Sequence, residues 1–203
     1  MIRLGEDWGI SEDNTRVAEG DVTQRIRTSN RTNNYCNSEL TIRVNQRLPE
    51  ELLEAVEASP PYTSVRGLHP NWRVGRYQSG QTFPAHQDQA DFVTVRHTER
   101  GRQRYTSSHT LLVNLSQPGQ DFQGGATRFF MEGTYTGRTV DIFLPQGWAL
   151  VFQQRGLFHA GLAVSSGTKY IAQAGVLRAE PEPGVLTGPA SVFKYAPGIQ
   201  KYF

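Results

Sequence analysis

Apolar residues along this chain fall in short runs separated by Gly- and Pro-containing breaks, a pattern of strands rather than of long amphipathic helices. Seven segments carry it: 72–77, 108–115, 126–130, 139–143, 148–152, 158–164 and 168–177. Between them stand Ser79-Gly80, Pro118-Gly119, Gly124-Gly125, Gly133, Gly137, Pro145-Gln146-Gly147 and Ser166-Gly167, all turn signals. One stretch reads as helix: Pro49, Glu50 and Glu51 suit a first turn, Leu52, Leu53 and Val56 form an apolar stripe, and Pro60-Pro61 stops it. This many short strands predict a mainly β fold, a closed or double-sheet architecture of the jelly-roll or cupin type, with one or a few flanking helices.

The two ends read differently. Residues 1–35 are polar, rich in Asn, Thr, Arg and Gly, and predict an irregular N-terminal arm. Residues 180–203 hold Pro181, Pro183, Gly184, Gly188, Pro189, Pro197 and Gly198 and predict an extended tail laid on the core. At 203 residues with 37% hydrophobic content, one domain over 1–203 is expected, its core at about 72–178. A net charge of +2 gives no polyanion footprint, so no nucleic-acid partner is expected. The single cysteine, Cys36, excludes an internal disulfide framework and a multi-cysteine zinc site. Glu6, Asp7, Glu12 and Asp13 interrupt residues 1–20, where neither a signal peptide nor a membrane anchor is visible. A soluble protein of the reducing cytoplasm, without a membrane partner, is the expectation.

The chain has five histidines: His69, His86, His97, His109 and His159. If residues 86–88 are extended, period-two geometry points His86 and Asp88 to the same face, bringing an imidazole nitrogen and a carboxylate oxygen to one point. A His-x-Asp triplet is common by chance, so this pair needs a third ligand from a distant segment. His159 lies in the apolar stretch Leu157-Phe158-His159-Ala160-Gly161-Leu162, where a core histidine bonded to backbone is an equal reading. His69, His97 and His109 have no matching spacing.

Ser165-Ser166-Gly167 suits a three-residue hairpin loop with Gly in the left-handed position. That register sets Val164 opposite Thr168 and Ala163 opposite Lys169, so Lys169 shares the face of His159. Four residues of strand separate their backbones by roughly 13 Å, and a lysine side chain closes about half of that. A five-carbon diacid fits between, chelating a metal at one end and meeting the ammonium at the other. Two His, one Asp and an inward Lys describe a ferrous oxygenase site, because a two-His, one-carboxylate facial triad leaves positions open for cosubstrate and oxygen.

The order of motifs then carries a family resemblance. Arg76-Tyr77-Gln78-Ser79-Gly80-Gln81-Thr82-Phe83-Pro84-Ala85-His86-Gln87-Asp88, Thr110-Leu111-Leu112-Val113-Asn114-Leu115 and Phe122-Gln123-Gly124-Gly125-Ala126-Thr127-Arg128-Phe129 resemble the prolyl 4-hydroxylase-like iron(II) and 2-oxoglutarate-dependent dioxygenases. Pro145-Gln146-Gly147-Trp148-Ala149-Leu150-Val151-Phe152, His159 and Gly167-Thr168-Lys169-Tyr170 complete the pattern over 72–178. The resemblance implies a double-stranded β-helix with His86, Asp88 and His159 as metal ligands on Fe(II). It implies 2-oxoglutarate as cosubstrate, O2, and ascorbate as an optional reductant. It also implies Lys169 on the distal carboxylate of 2-oxoglutarate, helped by Tyr77. Residues 27–34 resemble that family's polar N-terminal segment.

Asn114 stands where the family commonly has Tyr, and Ala126 where it often has Glu. Ser107 and Ser108 replace a frequent Arg, with Arg104 the nearest candidate. Thr110 and Asn114 share one strand face with Leu112 and are candidates to line the cosubstrate pocket, plain packing being the equal reading. Trp148, Phe152 and Phe129 read as core. The polar segment 91–107, with Arg96, Arg100, Arg102 and Arg104, reads as a long connection suited to a lid, its basic run first of all a solvated face. Three function classes follow: a hydroxylase of prolyl or related residues in a peptide or protein, an oxygenase of a small molecule such as a free amino acid or natural product, and a noncatalytic peptide-binding module, against which the intact triad and Lys169 argue.

Overall fold

A computed structural model of the chain describes residues 1–9, 11–12, 16–19, 22–25, 29–31, 35–58, 65–88, 93–98, 101–133, 135, 137–179 and 192–195. Two antiparallel sheets face each other. The larger runs in the order Ser11–Glu12, Asn30–Arg31, Asn71–Gln78, Val164–Ala179, Gly101–Asn114, Ala149–Gln153 and Val192–Tyr195. The smaller runs Thr139–Ile142, Thr127–Phe130, Phe158–Gly161 and Phe83–His86. This is the jelly roll the strand count predicts. No helix among the described residues is long and apolar enough to cross a membrane.

The central strands of the larger sheet are apolar on both faces, which explains why runs such as Leu150-Val151-Phe152 lack clean alternation. Leu112, Leu150, Phe152, Ile171 and Tyr77 point between the sheets and meet Phe129, Phe122, Leu144, Leu157 and Val164. Their neighbours Leu111, Val151, Ala172, Ala174, Val176 and Trp72 form a second core on the outer face. There they pack beneath Leu52 and Val56 of the helix Glu50–Glu57, the one the sequence predicts. A second helix, Ser38–Asn45, is capped by the Asn37 side chain on Leu40 N–H and is pinned where Trp72 Nε1 donates to Thr41 Oγ1 at 2.9 Å. Its exposed Ile42 breaks the apolar stripe, which is why the pattern did not announce it.

Three expectations change. The N-terminal arm is not irregular throughout: it carries the helix Ile2–Trp8 and short paired strands, Arg16–Glu19 with Val22–Arg25 and Asn30–Arg31 with Asn71–Gln78. Where it is described, the segment 91–107 is strand rather than a loop: Val93–Thr98 pairs with Gly101–Asn114 over six residues, from Thr98↔Gly101 to Val93↔Thr106. The β-branched Val93, Thr94, Val95 and Thr98 favour that extension of the sheet. Lastly, Ser165-Ser166-Gly167 is no hairpin loop. Val164–Ala179 is one continuous strand whose start pairs with Phe122–Gly124, Gly167 opposite Phe122. Gly167 does adopt a positive φ of 77°, and here the chain leading into the neighbouring strand also passes so close that a Cβ would meet Asp121 O at 2.1 Å. Pro60-Pro61, residue 91, Arg100, most of 27–34 and most of the tail lie outside the described residues. Of 180–203, Val192–Tyr195 pairs with Ala149–Gln153.

Candidate active site

The smaller sheet brings its two histidines together by register. Phe83–His86 pairs with Phe158–Gly161, and His86 and His159 are direct cross-strand partners with ring centroids 4.3 Å apart. Asp88 follows two residues after His86, just past the strand end, and completes a cluster whose potential ligand atoms all lie within 4.8 Å of one another. Asp88 Oδ1 is 3.5 Å from His86 Nε2 and 3.8 Å from His159 Nε2. Each ring turns its other nitrogen outward in the same way, His86 Nδ1 to Pro84 O at 2.8 Å and His159 Nδ1 to Leu157 O at 3.5 Å. A backbone carbonyl on Nδ1 holds the proton there and leaves the Nε2 lone pair for a metal. His159 is buried, wedged against Phe152 and Phe129 with ring separations of 4.7 and 5.9 Å. The two aromatics are core, as the sequence predicts, and they also fix the ligand ring.

Electrostatics support the same cluster. Burial alone would raise the Asp88 carboxyl. The His86 contact, the charges of His159 and His86, and the Thr110 hydroxyl together outweigh it and hold the group well below the ordinary carboxylate range. Two imidazole nitrogens and one ionised carboxylate oxygen converging from one side are a donor set suited to Fe(II), with the opposite side left for other ligands.

Lys169 lies deeper between the sheets, buried, on the strand next to Tyr77, its cross-strand partner. Its Nζ donates to Gly125 O at 2.6 Å and sits 5.8 and 5.9 Å from the ring centres of Phe122 and Tyr77. Tyr77 therefore meets the ammonium through its ring face. Gly125, at φ 65°, is what makes room: a Cβ there would press on Val164 Cγ2 at 2.9 Å and on Lys169 Cδ at 3.4 Å. Burial pushes the Lys169 ammonium down to about 8. A small cavity opens beside it, lined by Leu112, Asn114, Thr127 and Leu144 among others. Asn114 donates Nδ2 to Ser116 O and Leu144 O at 2.8 and 2.5 Å, and its buried Oδ1 has no hydrogen-bond partner. The Lys169 ammonium, with N–H donors beyond the one on Gly125 O, is what suits an anion at this end of the barrel; the Asn114 oxygen, an acceptor, calls for a donor instead.

Thr110 is placed elsewhere than the sequence suggests. It does not line the Lys169 cavity. Its Oγ1 donates to Asp88 Oδ2 at 2.6 Å, and it borders a second cavity with Arg73, Asp88, Gln154, Gln173, Ala174 and Gly175. Arg73, Gln154 and Gln173 were not legible as site residues. The alternation Leu150, Phe152, Gln154 puts Gln154 on the inner face, and the cross-strand pair Arg73↔Gln173 follows from the register, but the register itself needed the structure. His109 is buried, with Nδ1 on Ser108 Oγ, and stands apart from the cluster as expected.

Residues 72–174 match the model of the 2OG-Fe(II) oxygenase superfamily. No curated protein matches the chain. Among solved structures, a viral collagen prolyl hydroxylase from Paramecium bursaria Chlorella virus-1, determined with 2-oxoglutarate, is 24% identical with a TM-score of 0.50, covering 77% of this chain and 81% of that one. A prolyl hydroxylase from Trichoplax adhaerens, bound to a hypoxia-inducible factor peptide fragment, is 17% identical with a TM-score of 0.56 and coverages of 89% and 74%. A prolyl-4-hydroxylase from Pseudomonas putida is 16% identical with a TM-score of 0.52 and coverages of 86% and 80%. At these identities the likeness is one of fold.

Proposed function

Because the chain belongs to the 2OG-Fe(II) oxygenase superfamily, a dioxygenase family that uses Fe(II), 2-oxoglutarate and O2, we propose that it hydroxylates a C–H bond of a prolyl or related residue in a peptide or protein. The observation that carries the reading is the convergence of His86, Asp88 and His159 within 4.8 Å of one another, with a buried lysine farther into the same barrel.

In this reading His86 Nε2, His159 Nε2 and Asp88 Oδ1 hold the iron, and Lys169 pairs with the distal carboxylate of 2-oxoglutarate. The bound iron and cosubstrate supply oxygen activation, coupling conversion of 2-oxoglutarate to succinate and CO2 to insertion of one oxygen atom into the substrate C–H bond. Everything else falls to the side chains. Phe129 and Phe152 exclude water around His159 and keep its ring from rotating. Lys169 carries three N–H donors, and with one on Gly125 O it offers the others to a carboxylate in a site where burial makes the charge pair strong. Phe122, Ile142 and Leu144 keep that end of the barrel dry.

The substrate approaches beside Asp88 in this reading, where Arg73, Gln154 and Gln173 border the second cavity. The Arg73 guanidinium and the Gln173 carboxamide suit the carbonyls and N–H groups of a peptide backbone, the Gln154 carboxamide being engaged with Thr110 and Ser107. The fold neighbours include enzymes named for prolyl substrates, one of them bound to a peptide, and this supports a peptide over a small molecule. The test is succinate release from 2-oxoglutarate by iron-loaded protein over matched panels of prolyl peptides and free amino acids, with hydroxylation located by mass spectrometry. Turnover confined to free amino acids would replace the peptide reading with the small-molecule one.

A further inference from the structure

Asp88 does not stand alone on the side facing away from the histidines. Thr110 Oγ1 donates to its Oδ2 at 2.6 Å, Gln154 Nε2 donates to Thr110 Oγ1 at 3.3 Å, and Ser107 Oγ donates to Gln154 Oε1 at 3.0 Å. Ser107, Thr110 and Gln154 are all buried.

The direction of this chain is forced. An ionised carboxylate only accepts, so the Thr110 hydrogen must point at Asp88. The Thr110 oxygen then has lone pairs to offer and needs a donor, which is the Gln154 amide. That sets the Gln154 carbonyl toward Ser107, which must donate in turn. Every bond is polarised toward the carboxylate, and each strengthens the next.

Backbone geometry builds the same arrangement. In an unbroken strand Ser107 and Thr110, three residues apart, would face opposite sides of the sheet. Here Ser107 pairs with Leu177 and His109 with Val176, so Ser108 is an extra residue, a β-bulge. The bulge brings Ser107 to the face of Thr110. Gln154 N–H donates to Ser108 O at 3.0 Å, tying the middle of the chain to the bulge itself. Ser108 Oγ is engaged with His109 instead.

We propose that Ser107, Gln154 and Thr110 are positioning residues that occupy Asp88 Oδ2, so that the carboxylate presents Oδ1 alone to the metal in the orientation shared with His86 and His159. The proposal rests on the metal-site reading given above. It adds that the denticity and orientation of the carboxylate are set from outside the ligand set, through a bulge on the larger sheet.

The test uses Co(II) as probe, read by calorimetric affinity and by its visible d–d absorption, on the whole 203-residue chain. Thr110→Val, which keeps shape and loses the hydroxyl, is expected to weaken Co(II) by about 10- to 100-fold, the usual cost of removing an outer-shell partner, and to change the absorption band. Thr110→Ser is expected to restore both. Gln154→Leu is expected to weaken Co(II) a few-fold alone and to add nothing in the Thr110→Val background, because its effect passes through that hydroxyl. Affinity and spectrum of Thr110→Val equal to wild type, or Gln154→Leu fully additive with it, would overturn the relay. His86→Ala serves as reference: unchanged Co(II) affinity there would defeat the metal-site reading itself, whereas loss there with silent relay variants defeats the relay alone.

Discussion

His86 and His159 face one another across paired antiparallel strands, so the metal site is a property of strand register rather than of a loop. A slip of one residue in either strand would turn one imidazole to the opposite face of the sheet. Rigid sheet positions hold two of the three ligands, and the third follows within two residues.

The two histidines should respond differently to removal. His86→Ala is expected to abolish turnover and lower metal affinity by more than the roughly 10- to 100-fold cost of an outer partner, with a smaller loss of stability than at His159, since the His86 side chain is 16% exposed and that of His159 4%. His159→Ala is expected to abolish turnover and also to cost about 2 to 4 kcal/mol of stability, because it empties a packed site between Phe129 and Phe152. Metal titration, succinate release and urea denaturation of both variants check this. Turnover in either variant would remove that histidine from the ligand set.

Lys169 gives a pH signature. Its ammonium is pushed by burial from 10.5 down to about 8, so the proton that pairs with a dicarboxylate is lost as pH rises through that value. Affinity for 2-oxoglutarate is expected to hold below pH 8 and to fall about tenfold per unit well above it. Stability of the cosubstrate-free protein should run the other way. Between about 8 and 10.5 the unfolded chain binds more protons at this residue than the folded one, so Lys169 makes the fold more stable as pH rises. Lys169→Met is expected to weaken 2-oxoglutarate by a loss on the order of 3 to 5 kcal/mol and to flatten both profiles. Binding isotherms and denaturation at pH 7, 8, 9 and 10 decide it.

His109 provides an acid-side counterpart. Burial, with Arg178 adding to it, pushes this imidazole down to about 3, far from its ordinary 6.5. The unfolded chain therefore takes up a proton below pH 6.5 that the folded one refuses, and stability is lost as pH falls from there, by up to about 1.4 kcal/mol per unit from this residue. His109→Gln is expected to reduce the slope of unfolding free energy between pH 6.5 and 5. An unchanged slope would mean that other groups dominate acid unfolding.

Gly167 distinguishes a strand from a turn. In a hairpin loop, Asn would be tolerated at its positive φ. In the continuous strand a side chain meets Asp121 O, so Gly167→Asn is expected to cost about 2 kcal/mol or more and to loosen the pairing with Phe122. Thermal unfolding together with amide exchange at Phe122 and Thr168 reads this out. A variant as stable as wild type would favour the loop.

The sequence spoke clearly where one residue type meets one unusual setting. His159 stands out because it interrupts an apolar strand, and His86 and Asp88 because their spacing matches a strand's period. The jelly roll was legible from punctuation and short apolar runs. What hid was everything that depends on pairing. Gly167 obeys the turn rule and the close-approach rule alike, and only the neighbouring strand Phe122–Gly124 decides between them. Thr110 reads as pocket-facing, but which pocket it meets depends on where Asp88 arrives from outside the sheet. Ser107 enters the inner face through a bulge, and no local pattern in Tyr105-Thr106-Ser107-Ser108-His109 marks which residue is the extra one.

The strand Val164–Ala179 carries Lys169 and Gln173 on its inner side and Ala172 and Val176 on its outer side, beneath the helix Glu50–Glu57. Chemistry and durability are thereby written on alternate letters of one segment. An engineer seeking a hardier catalyst has a separate keyboard in those small outer residues and in Leu52 and Val56 opposite them. Repacking there can raise the melting temperature while the inner letters, which decide what reacts, stay as they are.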